Sequence, residues 1–172
     1  MKTPLIIILI CLFFFSVWAK RKPVEAYTTI TGKVTTTADY CGGARPSEEM
    51  LEQLRTPKPA IRRIIYIKYG SVNTENTRLI KKVMTDSNGL FTVKLKKGYT
   101  YQFLEEWQCL NFKMPQQTQW VKWDEKCFRE RYATPNYVLN TKKTKQNIIT
   151  FNYHQPCFYN PYCGNYSGPL PP

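Results

Sequence analysis

Apolar and polar side chains alternate along much of the chain, in short runs broken by turn residues. From Tyr27 to Thr37, "YTTITGKVTTT" puts Ile30, Gly32 and Val34 on one face and Lys33 on the other. That period of two, in a segment rich in Thr, Val, Ile and Tyr, predicts a strand. "ADYCGGARP", residues 38–46, predicts a loop. "PSEEMLEQLR" predicts one or two helical turns, with Ser47 as cap and Glu48 and Glu49 at the favourable end of the helix dipole. "TPKP" then stops the helix. "IRRIIYIKYG" predicts a core strand with Ile65, Ile67 and Tyr69 on one face, "SVNTENT" a loop, and "RLIKKVMT" a further strand.

The stretch "TDSNGLFTVKLKKGYTYQF", Thr85 to Phe103, holds two turns and two alternating runs. Asn88-Gly89 suits a turn that needs positive φ, and Gly98 tips the next one. Phe91, Val93 and Leu95 share a face, as do Tyr99, Tyr101 and Phe103, and the expectation is a three-strand meander. After Trp107 the pattern loosens, and "CLNFKMPQQTQWVKW" predicts irregular or weakly extended chain. "DEKCFRERY" predicts a short helix from Asp124, ended by "TPNYVL", and "NIITFNYH" a last strand with Ile149, Phe151 and Tyr153 on one side. The prolines of "QPCFYNPYCGNYSGPLPP" argue against regular structure in the tail. Short strands at regular spacing in a chain of 172 residues predict an antiparallel β-sandwich.

The first residues add a compartment. "MKTPLIIILICLFFFSVWA" has one charge, Lys2, then an apolar run and a small residue before "KRK". It reads as a secretory signal peptide, residues 1–19, and is shorter than the ~20 apolar residues of a membrane span. An uncleaved segment that tethers the domain to a membrane is the alternative, and the only membrane contact expected. Export sets the expected location as secreted or periplasmic, at the cell envelope. It also makes the remaining Cys41, Cys109, Cys127, Cys157 and Cys163 candidates for disulfides. One cysteine is left over, and about 15 pairings are possible. Cys157 with Cys163 would close a small loop in the tail. Cys109 with Cys127 would staple the tryptophan-rich segment. Cys41 is then odd, or pairs with a tail cysteine. The net charge of +13 is spread along strands and turns, with no basic tail. That pattern and the export signal exclude nucleic acid as a partner; acidic glycans or lipid heads remain within reach of its field.

"ITGKV", "IIYIKYG" and "TDSNGLFTVKLKKGYTYQF" together resemble the carboxypeptidase regulatory-like domain. The resemblance implies an all-β, transthyretin-like (prealbumin-like) sandwich of about seven strands. The signature of that family is a Gly-Lys-Val strand, a Thr-Asp-X-X-Gly-X-Phe turn and a Gly-Tyr hairpin. Thr85, Asp86, Gly89, Phe91, Gly98 and Tyr99 fill those places. The match covers residues 27–104; Asp39–Arg55 and the cysteine-bearing second half depart from it. The implied division is a signal peptide at 1–19, the sandwich with its insertions at 20–155 and a proline-rich tail at 156–172. Members are mostly accessory modules without catalytic residues. The related transthyretin-like enzyme that hydrolyses 5-hydroxyisourate needs several histidines and a Tyr-Arg-Gly-Ser ending. This chain has one histidine and ends "SGPLPP", so that activity does not carry over.

The residues themselves offer few chemical groups. His154 comes without a "GxSxG" or "HExxH" motif to give it a catalytic frame. A metal site of His154, Cys157, Cys163 and Cys41, or a small hydrolase built on them, is the alternative from another class; the spacing is no recognised zinc knuckle. The expectation is therefore an exported, non-catalytic binding or scaffolding module with no cofactor and no metal, serving a protein or glycan partner. Its candidate surface is "CGGAR" with Arg45, together with Trp107, Trp120 and Trp123.

Overall fold

The computed structural model describes residues 25–143 and 148–169. The expected signal peptide lies outside them. Two sheets pack face to face. In the first, β1 (Tyr27–Ala38) is central. β5 (Leu90–Lys96) runs antiparallel along one edge, from Tyr27↔Lys96 to Lys33↔Leu90, and β2 (Lys58–Pro59) continues that edge beside Thr35 and Thr36. β9 (Ile148–Gln155) lies along the other edge, parallel to β1, from Thr31↔Ile148 to Ala38↔Gln155. The second sheet is antiparallel throughout, in the order β4 (Leu79–Met84), β3 (Ile64–Tyr69), β6 (Thr100–Leu104), β8 (Tyr137–Asn140).

The period-two faces meet as the alternation requires. Ile30, Val34, Phe91, Val93, Leu95, Ile149, Phe151 and Tyr153 from the first sheet bury against Ile65, Ile67, Tyr101, Phe103 and Leu139 of the second. Phe103, fully buried, has the rings of Phe91, Tyr137 and Phe151 at 6.0, 6.2 and 6.3 Å. Burial of one such ring stabilises the fold by about 1.5–3 kcal/mol. Gly32 permits this: a Cβ there would run into the ring of Phe91.

Three expectations need correction. β4, β5 and β6 are not a meander. β5 crosses to the first sheet, so its apolar face meets Phe103 across the core and not beside it. The sandwich is not wholly antiparallel, because the last strand joins β1 parallel. "YVLN" is a strand, β8, where the pattern showed only the end of a helix.

The turn before β5 is built as expected. Asp86 Oδ1 accepts from Asn88 and Leu90 N–H at 2.8 Å, and Gly89 takes φ +73° while Asn88 stays out of that region. The turn then docks on the first sheet through Val34 N–H donating to Gly89 O at 2.8 Å. Helix α1 (Glu48–Arg55) begins at Ser47, whose Oγ accepts from Met50 N–H at 3.2 Å. Helix α2 (Glu125–Ala133) begins at Asp124, which accepts from Cys127 N–H at 3.1 Å.

The outer face of the second sheet is also covered. Lys68 is buried there beside Asn73, and Gln102, Gln108 and Tyr132 are buried as well. Lys68 Nζ donates to Asn73 Oδ1 at 3.0 Å, and Asn73 Nδ2 donates to the carbonyls of Gln108 and Tyr132 at 2.7 and 3.0 Å. This polar layer fastens the irregular segment to the sandwich, as buried polar groups require partners.

A stapled end and its candidate binding cleft

Two disulfides build one end of the molecule: Cys41–Cys157 and Cys127–Cys163, with Cα atoms 5.3 and 5.4 Å apart. Neither the Cys157–Cys163 loop nor the Cys109–Cys127 staple forms; Cys41 takes its alternative, a tail cysteine, and Cys109 is the free one. Burial pushes the Cys109 thiol up, away from the reactive thiolate. With Cys41, Cys157 and Cys163 oxidised, the alternative metal site loses its thiolates. Two disulfides mark a chain that matures in an oxidising compartment.

The tail is regular where its prolines argued otherwise. β10 (Gly164–Tyr166) pairs antiparallel with β7 (Val121–Trp123), between the prolines and not on them. Asp124 N–H donates to Cys163 O at 2.7 Å, and Ser167 N–H to Trp120 O at 2.8 Å.

This ribbon holds α2 against a short 3-10 turn, Glu106–Gln108. Gln108 bolts the two together: its Nε2 donates to Arg131 O and Thr134 O at 3.1 and 2.8 Å, and its Oε1 accepts from Glu105 N–H at 3.1 Å. Trp107 is thereby held half-buried. Tyr132 meets its ring edge-on at 6.3 Å, and the Arg131 guanidinium lies 5.6 Å from its centroid. The same guanidinium stacks on Tyr162 of the tail at 3.6 Å, a cation–π contact.

Beside Trp107 opens a cleft of about 510 Å³, walled by Arg62, Arg63, Ile64, Glu105, Glu106 and Leu110. Arg63 pairs with Glu105 at 2.8 Å, and Glu106 accepts from the Tyr66 hydroxyl at 3.1 Å. Arg62 takes φ +52° to reach this wall. A side chain in that region costs about 1–2 kcal/mol, and such outliers gather at binding sites.

Of the residues expected at the surface, Trp107 lines the cleft. Trp120 is exposed at the start of β7. Trp123 is packed into the ribbon, with Nε1 donating to Gln116 O at 3.0 Å and its ring 5.4 Å from that of Phe128. Arg45 is exposed in the loop beyond the first disulfide and does not line this cleft. The sequence reading missed Arg62, Arg63, Glu105 and Glu106; the adjacent "RR" and "EE" pairs were the only trace of them. His154, which had no partner in sequence, lies 3.0 Å from Asp39 and 3.2 Å from the Thr37 hydroxyl.

No family model matches the chain, and no curated protein matches it. Among solved structures, a 9R-lipoxygenase from Cyanothece PCC8801 matches at 15% identity and a TM-score of 0.30, over 92% of this chain and 21% of the lipoxygenase chain. The chain thus spans about a fifth of that protein, and so low a score carries no argument for fold or chemistry. What the residues define is an all-β, two-sheet domain with a disulfide-stapled end.

Proposed function

We propose that the chain is an exported, non-catalytic binding module that takes a glycan chain in the cleft beside Trp107, at the cell envelope or outside the cell. The cleft carries this reading. An indole braced by Tyr132 and Arg131 gives a flat apolar platform for the C–H face of a sugar ring. The arginines and glutamates around it supply donors and acceptors for hydroxyl groups. We propose further that the sandwich is of the carboxypeptidase regulatory-like, transthyretin-like type. Support comes from two four-stranded sheets packed face to face and from Thr85, Asp86, Gly89 and Phe91 forming the expected turn and strand.

The test is binding to a panel of soluble neutral and acidic polysaccharides. Trp107→Ala should weaken binding at least about tenfold, as the loss of a central aromatic anchor does. Arg45→Ala and Trp120→Ala measure whether the surface extends beyond the cleft. Full binding by a folded Trp107→Ala protein refutes this reading.

A further inference from the structure

A second, smaller pocket of about 210 Å³ lies where the end of β1 meets α1 and the end of β9. It is lined by Thr37, Asp39, Tyr40, Leu51, Leu54 and Arg55, with Ala38 and His154. A hydrogen-bond chain leads to its polar wall. Thr35 Oγ1 donates to Asn152 Oδ1, and Asn152 Nδ2 donates to Thr37 Oγ1, both at 2.9 Å. The Thr37 hydroxyl in turn lies 3.2 Å from His154 Nδ1. On the other side of the ring, His154 Nε2 lies 3.0 Å from Asp39 Oδ1. Both ring nitrogens are thereby engaged.

What remains for a ligand is specific. Asp39 keeps its second carboxylate oxygen. Arg55, at the exposed end of α1, has no hydrogen-bond or ion-pair partner among the described residues. Leu51 and Leu54, one turn of α1 apart, form an apolar wall opposite. The Asp39 carboxylate and the Arg55 guanidinium on its lining balance one another in charge. An anion meets Asp39 and a cation meets Arg55, whereas a hydroxyl group satisfies both, as donor to one and acceptor from the other.

We propose that this pocket binds one uncharged sugar ring, its hydroxyl groups on Asp39 and Arg55 and its C–H face on Leu51 and Leu54. The volume lies below the roughly 300 Å³ at which pockets for larger ligands begin, so it takes one ring and not a chain. The inference rests on the glycan-binding reading but names a different site.

The experiment is amide NMR of the secreted, oxidised protein, titrated with neutral hexoses, a hexuronic acid and an amino sugar. Neutral hexoses should shift Asp39, Tyr40, Leu51 to Arg55 and His154. Arg55→Gln and Asp39→Asn should each weaken that binding about tenfold, and the charged sugars should bind more weakly than the neutral ones. No shift at these residues with any hexose overturns the proposal, as does preference for a charged sugar or unchanged affinity in both variants. Trp107→Ala separates the two sites. Hexose shifts that survive it, with polysaccharide binding lost, support both. Polysaccharide binding at Trp107 with a silent pocket sinks only this inference, and hexose shifts without any Trp107-dependent binding sink only the larger reading.

Discussion

Gly89 shows how much one residue can hold. Its φ of +73° makes the turn, and its carbonyl accepts from Val34. A Cβ there would collide with the Val34 carbonyl and sit 3.1 Å from Ala60 N. Gly89→Ala should therefore cost about 2–4 kcal/mol, from backbone strain plus the displaced turn; urea unfolding measures it, and a cost under about 1 kcal/mol would contradict the docked turn. Arg62 is the opposite case. Arg62→Gly relieves its strained φ and should stabilise the fold by about 1 kcal/mol, while glycan binding weakens because a cleft donor is gone. At this scale the sequence was readable wherever one residue type has one physical use. Gly89, Ser47 and Asp124 sit where their turn and capping chemistry put them. Cys109 was not readable, because what leaves it free is where the chain places the other four cysteines.

Elements were legible by their period, and their partners were not. Alternation finds β5 and β6 but says nothing of which sheet each joins. The sheet is chosen by which faces close the core, and here Phe91 must lie over Gly32 while Phe103 lies across from it. β7 and β10, three residues each, are too short to show a period and exist because Cys127–Cys163 and the Asp124–Cys163 bond hold them together. The staple closes a separation of 36 residues, and its removal should destabilise by about 2–4 kcal/mol. A Cys127→Ser, Cys163→Ser protein should also lose amide protection in Gly164–Tyr166 ahead of β1. Equal loss in both would show that the ribbon is no separate unit.

As a whole, the molecule is a two-sheet body with a disulfide-stapled end. The core tyrosines give it a pH signature. Burial pushes the Tyr101 hydroxyl up to about 12 from 10.0 and raises that of Tyr153 as well. Both stay protonated in the fold while the unfolded chain ionises, so their contribution is intact below pH ~10 and is lost as pH rises from there towards 12. The urea midpoint should hold between about pH 7 and 9 and fall above pH 10, less steeply in Tyr101→Phe. A slope unchanged by that substitution would contradict the assignment. The cysteine count and the all-β architecture follow from local composition, as does the expectation of export. The cleft does not, because its walls come from residues 62–64 and 105–110, which only the β3–β6 pairing brings together.

The most direct test watches the indole N–H resonances of Trp107, Trp120 and Trp123 while a polysaccharide that binds the protein is added. The Trp107 signal should move with the same midpoint as binding, and that of Trp123, packed on Phe128, should stay in place. Saturation with a motionless Trp107 would show that the glycan seats elsewhere.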